Sequence, residues 1–136
     1  MRRMLTAAAI AAVLAVALPA AAGGAADTIR VRIPEKAQLV DGGIRVSVAI
    51  WCVPTGDAPF ETNVTVTQDD GAIWAQRSLP FVPCDRRWHT VTVVATPFDD
   101  ARFHRGPAFV SAYVSRVDEE TGDTRQGQAT RVVRVR

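Results

Sequence analysis

The chain has 136 residues and a formal net charge of +2, from 16 basic and 14 acidic side chains. Because Arg2 and Arg3 lie in the predicted leader described below, the mature chain is near neutral. Its overall charge therefore gives no reason to propose nucleic acid or an anionic membrane as a partner, and only a local charged patch could; no nucleic-acid partner is predicted. Removal of the leader, residues 1–22, leaves 114 residues, which is enough for one small domain and too few for two.

The N-terminal segment has the pattern of a secretory signal peptide. Met1-Arg2-Arg3 precedes an apolar run, Met4–Leu18, and small residues follow. A basic start, an apolar stretch of roughly 7–15 residues and a small-residue cleavage site define such a peptide. A membrane anchor, the alternative, needs about 20 apolar residues. We expect cleavage after Ala22, or else after Ala26, then a flexible linker at 23–28 and a secreted, extracellular product with no membrane span.

Apolar and polar residues alternate with a period of two from residue 29 onward, which is typical of half-buried β-strands. Pro34 interrupts the first strand, and Asp41-Gly42-Gly43 predicts a hairpin turn before the second. The seven predicted strands, A to G, span residues 29–40, 44–52, 60–68, 72–79, 88–96, 108–117 and 130–136.

The connecting segments complete the fold prediction. Asp69–Gly71 and Asp118–Asp123 are predicted turns, and Pro80 and Pro83 exclude their segment from a central strand because proline donates no ladder hydrogen bond. Seven short strands with turn signals every 8–12 residues indicate an all-β fold, a seven-stranded antiparallel β-sandwich of the immunoglobulin (Ig) or fibronectin type. This domain is predicted to span residues 29–136.

Several motifs occur in a characteristic order: the Ile29-x-Val31-x-Ile33 start, Asp41-Gly42-Gly43, the strand ending at Cys52, Cys84 before the Trp88–Val93 strand, and the Phe103–Ala112 segment. This order resembles that of small exported actinobacterial proteins with a single Ig-like domain of unknown function. The resemblance covers most of the mature chain and implies the sandwich fold and export. That family has no established activity, so the resemblance implies no catalytic or binding residue.

Cys52 and Cys84 are the two cysteines of the chain. In an exported protein such a pair normally forms a disulfide. The bridge would close a loop of about 33 residues and contribute roughly 3–4 kcal/mol in the chain-entropy model. The alternative is a reactive Cys84 thiol with His89 as its base, which needs a reduced cysteine in an oxidising compartment. We predict a structural disulfide.

Trp51 and Trp88 are the first candidate binding residues. Strands B and E are antiparallel neighbours in an Ig-like sandwich, so Trp51 at the end of B lies beside Trp88 at the start of E. Both are out of phase with the core residues and would form an exposed aromatic platform for sugar rings or an apolar protein surface. Alternatively, the proline-rich segment with Phe81 covers the pair, which is then structural.

Arg30, Arg32, Arg134 and Arg136 are the second candidate set. They fall on the outward phase of the first and last strands, which usually lie together in this fold. The resulting basic stripe would attract an anionic cell-wall polymer in a salt-dependent manner. The alternative is a solvated face that prevents edge-to-edge aggregation.

The chain contains no recognisable catalytic motif. With two histidines and both cysteines assigned to a disulfide, no metal or other cofactor is predicted. The leading hypothesis is a secreted non-enzymatic binding or interaction module, with cell-wall polysaccharide or a secreted protein as partner. The second is a secreted protease inhibitor that inserts the Pro80–Cys84 loop, braced by the disulfide, into a protease cleft. A small enzyme is the third.

Overall fold

The computed structural model describes residues 28–54, 56 and 60–136; the predicted signal peptide and linker residues 23–27 lie outside these residues. The described chain is all-β, as predicted, and contains no helix long and apolar enough to cross a membrane. A single 3₁₀ turn is formed by Asp69–Gly71. The strands are β1 Ile29–Arg32, β2 Lys36–Val40, β3 Gly43–Cys52, β4 Glu61–Gln68, β5 Ile73–Arg77, β6 Trp88–Ala95, β7 Gly106–Val117 and β8 Thr124–Val135.

The described part of the chain has eight strands rather than the predicted seven, and the sheet is mixed rather than antiparallel throughout. Pro34 divides the first predicted strand, because it cannot donate to the β3 ladder. The chain then shifts toward β8, where the Arg134 amide donates to the Glu35 carbonyl at 2.7 Å. As a result β2 pairs antiparallel with β3 and parallel with β8.

The last strand begins six residues earlier than the sequence pattern predicts, at Thr124 instead of residue 130. Residues 124–130 are mostly polar and lack the apolar alternation on which the prediction depends. They are strand because β8 pairs with β7 along its whole length, from Gly106 opposite Val135 to Val117 opposite Thr124.

The strands form two groups that share one core. In the β3 group, β1, β2 and β6 pair with β3; in the β7 group, the order is β8-β7-β4-β5. Strand β2 belongs to both groups because it also pairs with β8. Alternate residues of each long strand point inward, and those of the two groups enter the same buried cluster, which includes Ile44, Val46, Val48, Ile50, Val64, Val66, Val110, Val114 and Val133.

The predicted hairpin turn between β2 and β3 is confirmed. Its two central residues, Asp41 and Gly42, have φ values of 48° and 80°. Positive φ at both positions is the signature of a type I′ turn, which matches the twist of the flanking strands. Gly42 suits its position because a side chain there would be strained.

The predicted disulfide between Cys52 and Cys84 is confirmed. It joins the end of β3 to the segment that precedes β6, and the described residues include no free cysteine. The reactive-thiol alternative for Cys84 is therefore wrong. The Pro80–Cys84 segment lies outside the strands, as its prolines predict.

Candidate functional site

The tryptophan pair, Trp51 and Trp88, lies where the sequence places it. The two residues are directly opposite each other in the antiparallel register of β3 and β6. Trp51 is half-buried, and Trp88 is 38% exposed. Both are out of phase with buried residues such as Ile50 and Cys52, so the pair lies on the outer face of the β3 group.

Arginines of β1 cover the tryptophan pair. The Cζ atom of Arg30 is 4.8 Å from the Trp51 ring centroid, and that of Arg32 is 4.1 Å from the Trp88 centroid. These distances are within the range of cation–π attraction. The arrangement follows from register, because β1 pairs with β3 and Arg30 lies opposite Trp51. Two of the predicted basic residues and the two predicted aromatic residues therefore form one cluster.

Phe81 does not provide the cover that the sequence alternative assigned to it. Its ring is 6.1 Å from that of Phe60, centroid to centroid, and its side chain is 75% exposed. The neighbouring Leu79 and Val82 are buried in the core. The segment is thus anchored on both sides of an outward-pointing phenylalanine.

The predicted four-arginine stripe is divided between two places. Arg30 and Arg32 lie over the tryptophans, whereas Arg134 and Arg136 line a groove of about 920 Å³ beside the paired ends of β2 and β8. The cause is that β1 pairs with β3, while β8 pairs with β7 and with β2. We call this the basic groove; Glu35, Lys36, residues 105–107 and residues 131–136 line it.

The histidine that the sequence offered as a base for Cys84 has another partner. Nε2 of His89 lies 2.7 Å from Oδ1 of Asp85. This hydrogen bond lowers the pKa of the Asp85 carboxyl below its ordinary value of 3.8. Asp85 lies in the loop that leads from the disulfide into β6, and His89 is the second residue of that strand.

A second group of exposed aromatic side chains was missed by the sequence reasoning. Trp74 on β5 and Phe109 on β7 both lie opposite Thr67 of β4, and Val132 of β8 lies opposite Phe109. Trp74 and Phe109 are each 46% exposed, and the Trp74 ring packs against Phe98 at 5.1 Å between centroids. We call Trp74, Phe98, Phe109 and Val132 the aromatic row.

The sequence alone indicates that two of these side chains point outward, but not that they lie together. Trp74 and Phe109 are each adjacent to a core residue of their strand, Ala75 and Val110, and so point outward. Their alignment across the sheet depends on the register of both strands with β4, which neither strand specifies by its own pattern. Phe98 comes from a loop after Pro97 and has no periodic signal at all.

On the side of the aromatic row away from the basic groove, the neighbouring positions on the outer face of the β7 group are polar and uncharged. The adjoining line across the sheet is Thr130, Ser111, Thr65 and Gln76, and the next is Gln128, Tyr113 and Asn63. We call these two lines and the aromatic row together the uncharged face. None of the residues in these lines is charged, in a chain of which 22% is Asp, Glu, Lys or Arg.

A buried glutamine at the end of β4 connects that strand to the loop that leads into the basic groove. The Gln68 amide nitrogen donates to the carbonyls of His104 and Pro107, at 2.8 and 3.2 Å, and its oxygen accepts from the His104 amide at 2.9 Å. Because Gln68 is buried, loss of these bonds would leave polar groups unsatisfied. Gln68 therefore fixes residues 104–107 against the end of β4.

The chain matches no protein-family model, and no curated protein matches it. Its candidate functions therefore depend on the chemistry of these surfaces.

Proposed function

We propose that this protein is a secreted, non-enzymatic module with an Ig-like β-sandwich fold that binds polysaccharide outside the cell. The observation that carries the proposal is the uncharged face, in which exposed aromatic rings adjoin two lines of hydroxyl and amide side chains. The fold assignment is supported by two strand groups that share one core. Export is supported by the leader pattern and the Cys52–Cys84 bridge.

The chemistry of this face suits a sugar chain. A pyranose ring has apolar C–H faces that pack flat on aromatic rings, and its rim of hydroxyls needs neutral donors and acceptors. Trp74 and Phe109 supply the rings, and side chains such as Thr65, Gln76 and Asn63 supply the donors and acceptors. Charged side chains, which hold water strongly, are missing from these positions.

The spacing of the rings also suits an extended chain. Trp74 and Phe109 lie on the two strands that flank β4, so their backbones are separated by two inter-strand spacings, about 10 Å. One polymer lying across β5, β4 and β7 would contact both rings. Exposed apolar residues of this kind commonly mark binding surfaces.

Affinity electrophoresis of the secreted protein in gels that contain soluble mannan, xylan, hydroxyethylcellulose or polygalacturonate tests the proposal. Pull-down on insoluble cell wall, chitin and cellulose extends the panel. We expect retardation by at least one polymer and a loss of affinity of about tenfold or more for Trp74→Ala and for Phe109→Ala. Phe81→Ala, which removes an exposed ring outside the face, is the matched control. Failure to bind any polymer, or full binding by Trp74→Ala, overturns the proposal.

One observation favours a second candidate, the protease inhibitor. Phe81 projects from a segment that buried Leu79 and Val82 hold on both sides and that the Cys84 bridge braces. Such preorganisation is what an inserting loop needs. Assay against a panel of secreted proteases separates the two functions, because Phe81→Ala would abolish inhibition and Trp74→Ala would leave it intact.

A further inference from the structure

The basic groove is continuous with the uncharged face. Val132 belongs to both, since it lies opposite Phe109 in the aromatic row and also lines the groove. Pro107 and Arg134, which are opposite each other two pairs further along the same strands and hence on the same face, line the groove as well. A polymer that crosses β5, β4 and β7 along the aromatic row therefore reaches the groove at β8.

The groove has an excess of positive charge. Among the described residues, the side chains of Lys36, Arg105, Arg134 and Arg136 form no ion pair, and the fifth cation, Arg131, pairs with Glu35. The mature chain as a whole is near neutral, so this excess is a local property of the groove.

The fold holds these cations in place on two sides. Arg134 and Arg136 alternate with buried Val133 and Val135, so both point outward, about 7 Å apart along the strand. Lys36 lies beside Arg134 in the parallel β2–β8 register. On the other side, Gln68 fixes the loop that carries Arg105.

We propose that the basic groove binds anionic groups of the same polysaccharide, so that the ligand is an acidic sugar chain with carboxylate or phosphate substituents. This inference rests on the proposed function. The planar guanidinium group binds both anions through paired hydrogen bonds, which gives them the same recognition chemistry. Nucleic acid is a poorer fit, because no aromatic side chain lines the groove itself among the described residues, and the bases next to phosphates bound there would lack stacking partners.

The test compares each acidic polymer with its own uncharged form. Polygalacturonate is paired with its carboxyl-reduced product, and phosphorylated starch with the dephosphorylated polymer, which distinguishes carboxylate from phosphate. At low salt we expect the secreted protein to bind at least one acidic form about tenfold more tightly than its uncharged counterpart. This preference should shrink as salt is raised.

The variant Arg105→Gln with Arg134→Gln should lose the preference for the acidic form and keep wild-type affinity for the uncharged one. Arg45→Gln with Arg87→Gln removes the same charge from exposed positions outside the groove and should retain the preference. Thermal unfolding of both variants establishes that they are folded.

The outcomes separate this inference from the proposed function. Equal affinity for the acidic and uncharged forms overturns the anionic groove and leaves polysaccharide binding intact. If the wild-type protein binds neither the acidic nor the uncharged form of any polymer, the proposed function is overturned. Binding of acidic polymers that survives Trp74→Ala and extends equally to single-stranded DNA overturns the inference, because the groove would then act as a general charge attractor.

Discussion

The two aromatic regions of this molecule differ in what the neighbouring strand carries. Trp51 and Trp88 lie on the outer face of the β3 group, where β1 places an arginine over each ring. The aromatic row lies on the outer face of the β7 group, where the adjoining line on the side away from the basic groove is threonine, serine and glutamine. Strand phase alone therefore indicates which aromatic side chains point outward, and the adjacent strand decides whether they stay open to a ligand.

This contrast predicts that the tryptophan pair contributes mainly to folding stability and the aromatic row mainly to ligand binding. The tryptophan pair is next to the disulfide, and its rings gain cation–π attraction of about 0.5–1 kcal/mol per exposed pair. Within the described part of the chain, the aromatic row has neither a disulfide beside it nor a cation over its rings. We therefore expect changes around the tryptophan pair to lower folding stability, and changes in the aromatic row to lower ligand binding.

The largest effect should come from the disulfide. Cys52→Ala with Cys84→Ala should lower the free energy of unfolding by roughly 2–5 kcal/mol, because the bridge restricts the unfolded chain. Denaturant titration measures the loss, and the folded fraction should still bind polysaccharide through the aromatic row. Two reactive thiols in the folded wild-type protein would contradict the bridge itself.

The second-largest effect is the difference in stability loss between a variant of the tryptophan pair and a variant of the aromatic row. Trp51→Ala removes a half-buried indole under Arg30 and should cost about 2 kcal/mol, somewhat less than a fully buried tryptophan. Trp74→Ala removes a more open ring and should cost less than about 1 kcal/mol.

Acrylamide quenching of the three tryptophans provides an independent measure. Variants that retain one tryptophan and carry phenylalanine at the other two positions should show Trp74 quenched more readily than Trp51. Equal quenching together with equal stability losses would remove the distinction between the two regions.

The sequence predicted most of the fold because the buried faces alternate strongly. The strand with Ile44, Val46 and Val48 begins within one residue of its predicted start, and the strand order assumed for an Ig-like sandwich placed Trp51 beside Trp88. The parallel contact of β2 with β8 was not predictable from period-two alternation, because the pattern identifies the buried face of a strand and leaves its partner open.

The candidate sites were predicted incompletely for the same reason, because the sequence pattern does not identify which strands are neighbours. Arg30 and Arg32 were predicted to accompany Arg134, yet the crossing at Pro34 separates them. The aromatic row was not predicted, because its residues come from three different strands and a loop. Each residue alone is an ordinary outward-pointing side chain, and only the register brings the rings together.

Removal of Arg32 should leave Trp88 of the tryptophan pair as open to solvent as the rings of the aromatic row. Arg32→Gln leaves the Trp88 ring without its cation and should increase acrylamide quenching of Trp88 in the single-tryptophan background. The stability loss should be about 0.5–1 kcal/mol, the value of an exposed cation–π pair. Arg45→Gln, which changes an exposed arginine on the same face of β3, is the control. Unchanged quenching would show that Arg32 does not shield the ring in solution.

The smallest effect concerns pH at the end of the aromatic row. Nδ1 of His104 lies 2.9 Å from the Arg105 carbonyl oxygen, and Nε2 lies 2.9 Å from Oδ2 of Asp69. Both ring nitrogens thus face acceptors and donate to them when the ring is protonated. The bond to the Arg105 carbonyl, followed by the bond to Asp69, raises the pKa of His104 above its ordinary value of 6.5.

The raised pKa of His104 in the folded state determines how its contribution to stability changes with pH. The contribution of His104 to stability is fully present below pH 6.5, the ordinary pKa, and is lost as pH rises through the higher folded-state value. NMR titration of the imidazole should give a midpoint above 6.5 in the wild type, and Asp69→Asn should lower that midpoint. Because the ring is exposed, the effect on global stability should be small, and the change should appear in the loop that carries Arg105. A His104 midpoint at or below 6.5 would show that the two acceptors do not hold the protonated ring, and Gln68 would then be the main link between this loop and β4.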